Sequence, residues 1–343
     1  MKIWLAGVPG GGRPGDCKRE NELAGFEWDR LHSYYHLKSS GGQMKPAPAV
    51  DLFLDSGAFS AFTQGVEINL DEYCAFIKEH KKHLTVYANL DVIGDPAGTW
   101  ANQKEMEKQG LNPLPCFHYG EDPKWLIRYL KAGYEYIALG GMVPISTKDL
   151  SSWLDKIFGE YLCDADGMPK VKVHGFGLTS LRLMLRYPWF SVDSTSWVVT
   201  GRMGSVYVPK MRNGKYIYGE DSWKIVVSTR SPSKKEAGKH IDTLSRMEKR
   251  VVLDYFEEKG YRLGESSFRS VSEKYELQDG EKWNGKAANG QREVETIIEP
   301  GLCNDYKLRD ELNIIYFLDL EKSMEKWPVP FKIKPGRGLG IGG

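Results

Sequence analysis

The sequence predicts an α/β protein: a TIM-like (β/α)8 barrel with a β-hairpin insertion after strand 7 and a C-terminal α-rich extension. Three observations carry this. Short apolar runs of strand length recur between residues 1 and 192. Helical patterns separate most of them, as βαβ units of a parallel sheet require. Nearly every run also ends in a polar or glycine residue. The run 52–54 ends in Asp55-Ser56-Gly57, 86–88 in Asn89-Leu90-Asp91, 114–117 in His118-Tyr119-Gly120, 136–139 in Gly140-Gly141, 171–173 in His174-Gly175 and 189–192 in Asp193-Ser194. The carboxyl ends of parallel strands are where such barrels place their chemistry.

The elements justify themselves in order. Residues 1–8 read as the first strand, too short for a signal peptide and broken at once by glycines. The Gly10-Gly11-Gly12 run lacks the G-x-x-x-x-G-K-[ST] pattern of a phosphate loop. Helical patterning covers about residues 20–38. A helix over 70–82 carries Asp71 and Glu72 in its first turn and lysines near its end, which suits the helix dipole. A second, over 96–109, opens on Asp95-Pro96 and closes at Gly110. Further helices are expected over 123–132, from Ser146 or Thr147 to about 162, and over 179–186, stopped before Pro188. Seven strands are clear, and the eighth is placed at 223–227. Between them, Arg212-Asn213-Gly214 flanked by β-prone runs at 205–208 and 215–218 is a hairpin signal. The hairpin is expected to project over the barrel mouth.

A barrel domain over 1–231 and an extension over 232–343 account for the 343 residues. The extension begins with a charged helical stretch at 233–260. A polar, glycine-dotted segment at 264–295 and an apolar block, Ile314-Ile315-Tyr316-Phe317-Leu318, follow, then a basic Gly-rich tail expected to be flexible. With 41% hydrophobic residues the chain can fill a sizeable core, and at net charge +1 any nucleic-acid contact must come from local patches. No apolar run approaches membrane-spanning length, so no membrane partner is expected. Five scattered cysteines without a C-x-x-C pair suit reduced thiols and a cytoplasmic setting.

The strand ends supply a consistent chemistry. Asp193 could be a nucleophile, a metal ligand, an electrostatic stabiliser or simply an Asx turn. Asp55 could cap the next helix or act at the mouth. Small Ser56 and Gly57 let a flat ligand approach the backbone, with Phe59 near enough to stack on it or to pack in the core. Asp91 could accept ligand N–H groups, Gly140-Gly141 offers bare amides, and His118 and His174 could donate, stack or ligate. Two carboxylates across a sugar suggest glycosyl transfer through a covalent intermediate, hence ping-pong behaviour.

These residues resemble a family. Asp55-Ser56-Gly57-Ala58-Phe59-Ser60 resembles the D-S-G-G-[FY]-Q element of the queuine/archaeosine tRNA-guanine transglycosylases. Asp193 with Thr200-Gly201-Arg202-Met203-Gly204 resembles their D-C-V-x-P-T-R-x-G-R-x-G nucleophile element. Ala138-Leu139-Gly140-Gly141-Met142 is similar to their base-binding turn, and His174-Gly175-Phe176-Gly177 to their M-G-x-G turn with His for Met. The resemblance spans about residues 50–210. It implies that Asp193 attacks C1′ of a target guanosine and Asp55 exchanges a proton with the base. Ser56, Asp91 and the Gly140-Gly141 backbone would read the purine edge, Phe59 and His174 would sandwich the ring, and His118 or Tyr119 would add a contact.

The departures shape the expectation. The family's C-x-C-x-x-C zinc site is missing: after Asp193 the only cysteine is Cys303 and the only histidine His240. No metal and no cofactor is therefore expected. Val198-Val199-Thr200 replaces Pro-Thr-Arg, which removes a basic residue. The sequence thus resembles most the divergent phage and bacterial branch that exchanges guanine in DNA for a 7-deazaguanine such as preQ0. DNA is favoured, tRNA is the alternative, and a homodimer is allowed. Arg202, Lys210, Arg212 and Lys215, interleaved with tyrosines, are the expected phosphate contacts, or merely a solvated face. Two further readings compete. One is a metal-dependent barrel hydrolase or lyase ligating through Asp55, Asp91, His118, His174 and Asp193; the other is a catalytically silent nucleic-acid-binding subunit.

Overall fold

The computed structural model describes residues 1–8, 28–39, 51–178, 180–219, 222–230 and 236–332. The glycine run at 10–12, Thr179 and the basic tail from 333 lie outside them. The described residues pack as two compact units, one holding those of 1–7, 28–195 and 321–332, the other Val8 and those of 196–320. The division at 195/196 precedes the 231/232 boundary drawn from sequence, because the chain leaves the parallel sheet after Ser194.

Unit 1 is built on a curled eight-stranded parallel sheet in the order β4-β3-β2-β1-β8-β7-β6-β5. Its strands are β1 Lys2–Ala6, β2 Arg30–Ser33, β3 Leu52–Asp55, β4 Val86–Tyr87, β5 Cys116–His118, β6 Tyr136–Gly140, β7 Lys172–Gly175 and β8 Ser191–Ser194. Beyond the ends of β4 and β5, Ala88 and Leu114 form a parallel bridge. There the Leu114 N–H reaches the Tyr87 carbonyl at 2.8 Å and the Asn89 N–H reaches the Leu114 carbonyl at 2.9 Å.

Helices separate most strands, and their starts follow local chemistry. Asn69 caps Leu70–His80 by accepting the Glu72 N–H. Asp95 caps Pro96–Lys108 through the Ala97 and Gly98 N–H groups, and Ser146 caps Thr147–Lys156 through Asp149. The two-residue period of the strands sorts the side chains. Leu52 and Leu54 of β3 pack with Tyr73 and Ile77 of the helix Leu70–His80. Phe53 between them joins Trp4, Ala6, Leu31, Cys116 and Ala138 in a separate core. Asp55 shares the Phe53 side of β3, as Asp193 shares that of Ser191, His118 that of Cys116, and Gly140 that of Tyr136 and Ala138. The alternation that fills this core therefore also aligns the polar strand ends.

Three expectations are corrected. The eighth strand of the sheet is not 223–227 but β2, Arg30–Ser33, within the segment expected to be helical; among the described residues of that segment Tyr34–Ser39 is helical. Arg30 is buried and its guanidinium donates to the carbonyls of Leu5 and of Gly7, the latter at 2.5 Å. That pairing lets an arginine occupy a strand interior. Second, Asp193 ends strand 8 rather than strand 7, so the hairpin follows the sheet and is no insertion in it. Third, the C-terminal region is not simply α-rich: the segment 264–295 enters a three-stranded antiparallel sheet.

Unit 2 begins with the helix Ser196–Arg202. β9 Ser205–Val208 pairs antiparallel with β12 Trp223–Val226, the run first expected to be the last barrel strand. Between them β10 Lys210–Arg212 and β11 Lys215–Ile217 form the expected hairpin, turning at Asn213 (φ 50°) and Gly214 (φ 72°). The helix Arg246–Glu258 opens on a capping box of Ser245 and Glu248. β13 Glu265–Ser272, β14 Glu281–Ala288 and β15 Gln291–Glu299 make the three-stranded sheet, and the apolar block is helical within Tyr306–Ser323. Val206, Val208, Ile225, Val252, Tyr255 and Leu312 share this unit's core. Among the described residues no helix is long and apolar enough to cross a membrane.

Candidate active site

One cavity of about 800 Å³ opens at the strand ends of unit 1. Its lining includes Asp55, Ser56, Phe59, Asp91, His118, Tyr119, Gly140, Gly141 and Asp193, nearly the whole expected site, together with Cys116, Glu121, Phe176 and Gly177. Its volume lies in the range of small-molecule sites. His174 does not line it but sits buried beside Asp193.

Asp193 is buried at the end of β8. Its Oδ1 accepts the Gly177 N–H at 2.8 Å and lies 3.4 Å from His174 Nε2. Positive φ at Gly177 (64°) shapes the turn that presents this N–H. Neighbouring positions of β7 and β8 place the histidine: His174 is the register partner of Ser191, and its Nδ1 lies 2.7 Å from Ser191 Oγ. Ser191 Oγ in turn lies 2.6 Å from the Tyr136 hydroxyl. Nε2 is buried and makes no hydrogen bond at that distance, while Nδ1, Ser191 Oγ and the Tyr136 hydroxyl form a buried polar chain behind the ring. Burial lowers the His174 pKa against the pull of Asp193, which keeps the ring neutral. Phe53 and Phe176 flank the ring at centroid distances of 4.7 and 4.5 Å. His174 is thus buried beside the carboxylate and does not line the cavity in which the resemblance implied it would stack.

Asp55 ends β3 and accepts the Gly57 N–H at 3.0 Å. The following helix, Ala58–Thr63, is capped by Gly57, not by Asp55. Asp55 is partly buried, and desolvation, with the charges of Asp193 and Asp91, raises its pKa to about 7. It is poised to give or take a proton near neutral pH. Phe59, 48% exposed, lines the cavity, where a ring could stack on an occupant.

Opposite chemistry lines the β4–β6 wall. His118 Nε2 lies 3.2 Å from Asp91 Oδ2 and 3.6 Å from Cys116 Sγ. Both Glu121 oxygens hold His118, one accepting its backbone N–H at 3.1 Å, the other 3.1 Å from Nδ1. Burial disfavours charge on this ring, but Cys116 and Asp91 outweigh it and raise the pKa well above that of an ordinary histidine. Burial pushes the Cys116 thiol up to about 12. Gly140 is required here: a Cβ would come within 2.8 Å of Cys116 Sγ and 2.9 Å of His118 Cδ2. The Tyr119 N–H donates to the Gly140 carbonyl at 2.9 Å, tying the two turns together.

The four expected phosphate contacts belong to unit 2. Arg202 donates to the Val8 carbonyl at 2.8 Å, and Lys210 Nζ sits 3.3 Å above the Trp223 ring. Arg212 and Lys215 are exposed register partners beside the hairpin turn. Sequence reasoning missed Glu121, Cys116, Ser191 and Tyr136. Ser191 and Tyr136 were findable, each two residues from a strand-end candidate or on its face; Glu121 carried no signal beyond an acidic loop.

No protein-family model matches this chain, and no curated protein or solved structure does.

Proposed function

We propose that the chain is a base-exchanging glycosyltransferase acting on guanine in nucleic acid, with DNA favoured over tRNA. The frame in this reading is a (β/α)8 barrel closed across Ala88 and Leu114. What supports it most is the pair of strand-end carboxylates lining one cavity in contrasting settings: Asp55 with its pKa raised to about 7, Asp193 aligned by a backbone N–H and a neutral histidine. Carboxylates set apart by environment divide nucleophile from acid/base work.

The chemistry runs in two halves. An Asp193 oxygen bonds to C1′ as the C1′–N9 bond breaks; the electron pair leaves on guanine, which takes the Asp55 proton. The incoming 7-deazaguanine then gives a proton to Asp55, its nitrogen attacks C1′, and the Asp193 ester bond breaks. Ser56 and the Gly140-Gly141 backbone read the base edge, and Phe59 stacks on the ring. Arg202, Lys210, Arg212 and Lys215 contact phosphates. No cofactor enters these steps. The target base must leave its stack to enter such a cavity.

The test is base exchange. The protein is incubated with labelled guanine or preQ0 and, separately, duplex DNA or tRNA. Label entering DNA alone supports the full proposal; label entering tRNA keeps the mechanism and overturns the substrate. Failure with both, using folded protein and several 7-deazapurines, overturns the proposal.

A further inference from the structure

On the β4–β6 wall, Asp91 and His118, expected from sequence to touch the base, meet Cys116 in a cluster that takes no part in the bond-making and bond-breaking steps. Asp91, Cys116 and His118 each offer one ligand atom, all within 4.8 Å of one another, and all three residues line the cavity. Zinc bound by such ligands has bond lengths of about 2.0–2.1 Å to nitrogen, 2.3 Å to sulfur and 2.0–2.2 Å to oxygen. A tetrahedron of those lengths has edges of roughly 3.6 Å between N and S and about 3.3 Å between N and O. The observed Nε2–Sγ and Nε2–Oδ2 separations are 3.6 and 3.2 Å.

Three further features agree. Glu121 Oε1 sits 3.1 Å from His118 Nδ1, leaving Nε2 as the ring nitrogen that faces Asp91 and Cys116. A carboxylate behind the distal nitrogen is the usual support for a metal-bound histidine. Asp91 Oδ1 is buried without a hydrogen-bond partner, an acceptor left over in a site otherwise saturated. Gly140 leaves open the space a Cβ would take, 3.2 Å from Nε2.

We infer that Asp91, Cys116 and His118 form a tetrahedral site for a zinc-class divalent cation, with Glu121 supporting His118 and the fourth position facing the cavity. One Cys, one His and one carboxylate with an open position match catalytic rather than structural zinc sites. The fourth ligand is a water or a nitrogen or oxygen of the cavity's occupant. The inference goes beyond the base-exchange proposal and stands or falls without it.

The test is direct titration of full-length, metal-stripped protein with Zn²⁺ by calorimetry and with Co²⁺ by absorbance. One equivalent should bind, and Co²⁺ should give a thiolate-to-cobalt charge-transfer band with tetrahedral visible absorption. Cys116→Ser should lose the band, and Glu121→Gln should keep it while weakening affinity by about 10–100-fold. Cys303→Ser should change neither. Should Cys116→Ser not fold, His118→Asn serves instead, with loss of the tetrahedral spectrum expected. Absence of saturable binding, a band surviving Cys116→Ser, or a band removed by Cys303→Ser would each overturn the inference.

Discussion

His174 Nε2 lies 3.4 Å from Asp193 Oδ1, and the ring that holds it there is fixed from behind by Ser191 Oγ at 2.7 Å. In the proposed reading, the placement of Asp193 as nucleophile thus depends on residues one layer below the cavity floor. Ser191→Ala should leave the fold intact and lower the exchange kcat about 10-fold with little change in KM, since an unmet buried nitrogen costs about 1–3 kcal/mol. Tyr136→Phe should cost less, because Ser191 can still donate to Nδ1. Steady-state kinetics beside thermal melting separates this from simple destabilisation: an equal fall in melting temperature without a kcat effect would refute the positioning role.

Asp55 sets the pH dependence. Its pKa in the fold is about 7 against an ordinary 3.8, so the folded state holds the proton more tightly than the unfolded chain. Its stability contribution is full below about pH 4 and is lost as pH rises towards 7, a loss of roughly 4 kcal/mol at most. Asp55→Asn should therefore melt higher than wild type at pH 8 and nearly equal to it at pH 4. In kinetics, guanine release should slow above pH 7, where the proton donor is gone. Incorporation of the second base should slow below pH 7, where the acceptor is already filled.

Gly57 presents its N–H to Asp55 at positive φ (76°), and a Cβ there would come within 2.4 Å of Ser33 Oγ and 2.5 Å of Tyr35 Cβ. Gly57→Ala should destabilise the protein by about 2–4 kcal/mol, the joint cost of strain and overpacking. Urea unfolding measures it; a loss below about 0.5 kcal/mol would show that β2 and β3 are spaced less tightly than described.

The hairpin is the proposed phosphate-binding element. Arg212→Ala with Lys215→Ala should weaken nucleic-acid binding without altering melting temperature. The slope of log K against log salt should fall by about 2, one for each phosphate no longer neutralised. An unchanged slope would make the hairpin a solvated face.

Much of unit 1 was readable because its strands end abruptly in polar or glycine residues. Asp55, His118, Gly140 and Asp193 all stand where an apolar run stops, and all line the cavity. β2 was hidden because Arg30 interrupts its apolar pattern, and only the tertiary structure supplies the Leu5 and Gly7 carbonyls that satisfy it. Trp223–Val226 misled for the opposite reason: a β-prone run does not disclose whether it pairs parallel or antiparallel. β13 has largely exposed residues on both faces, so it lacks the alternation that marks a half-buried strand. His174 was found but given the wrong task, since burial behind Phe176 is not visible in sequence.

Everything in the proposed chemistry turns on Asp193 holding the sugar covalently. The protein is mixed with a labelled oligonucleotide and guanine, quenched in denaturant and resolved by gel and mass spectrometry. The predicted result is a covalent adduct that maps to Asp193, disappears on adding preQ0, and is absent in Asp193→Asn. Exchange by an Asp193→Asn protein, or an adduct mapped to another residue, would contradict it.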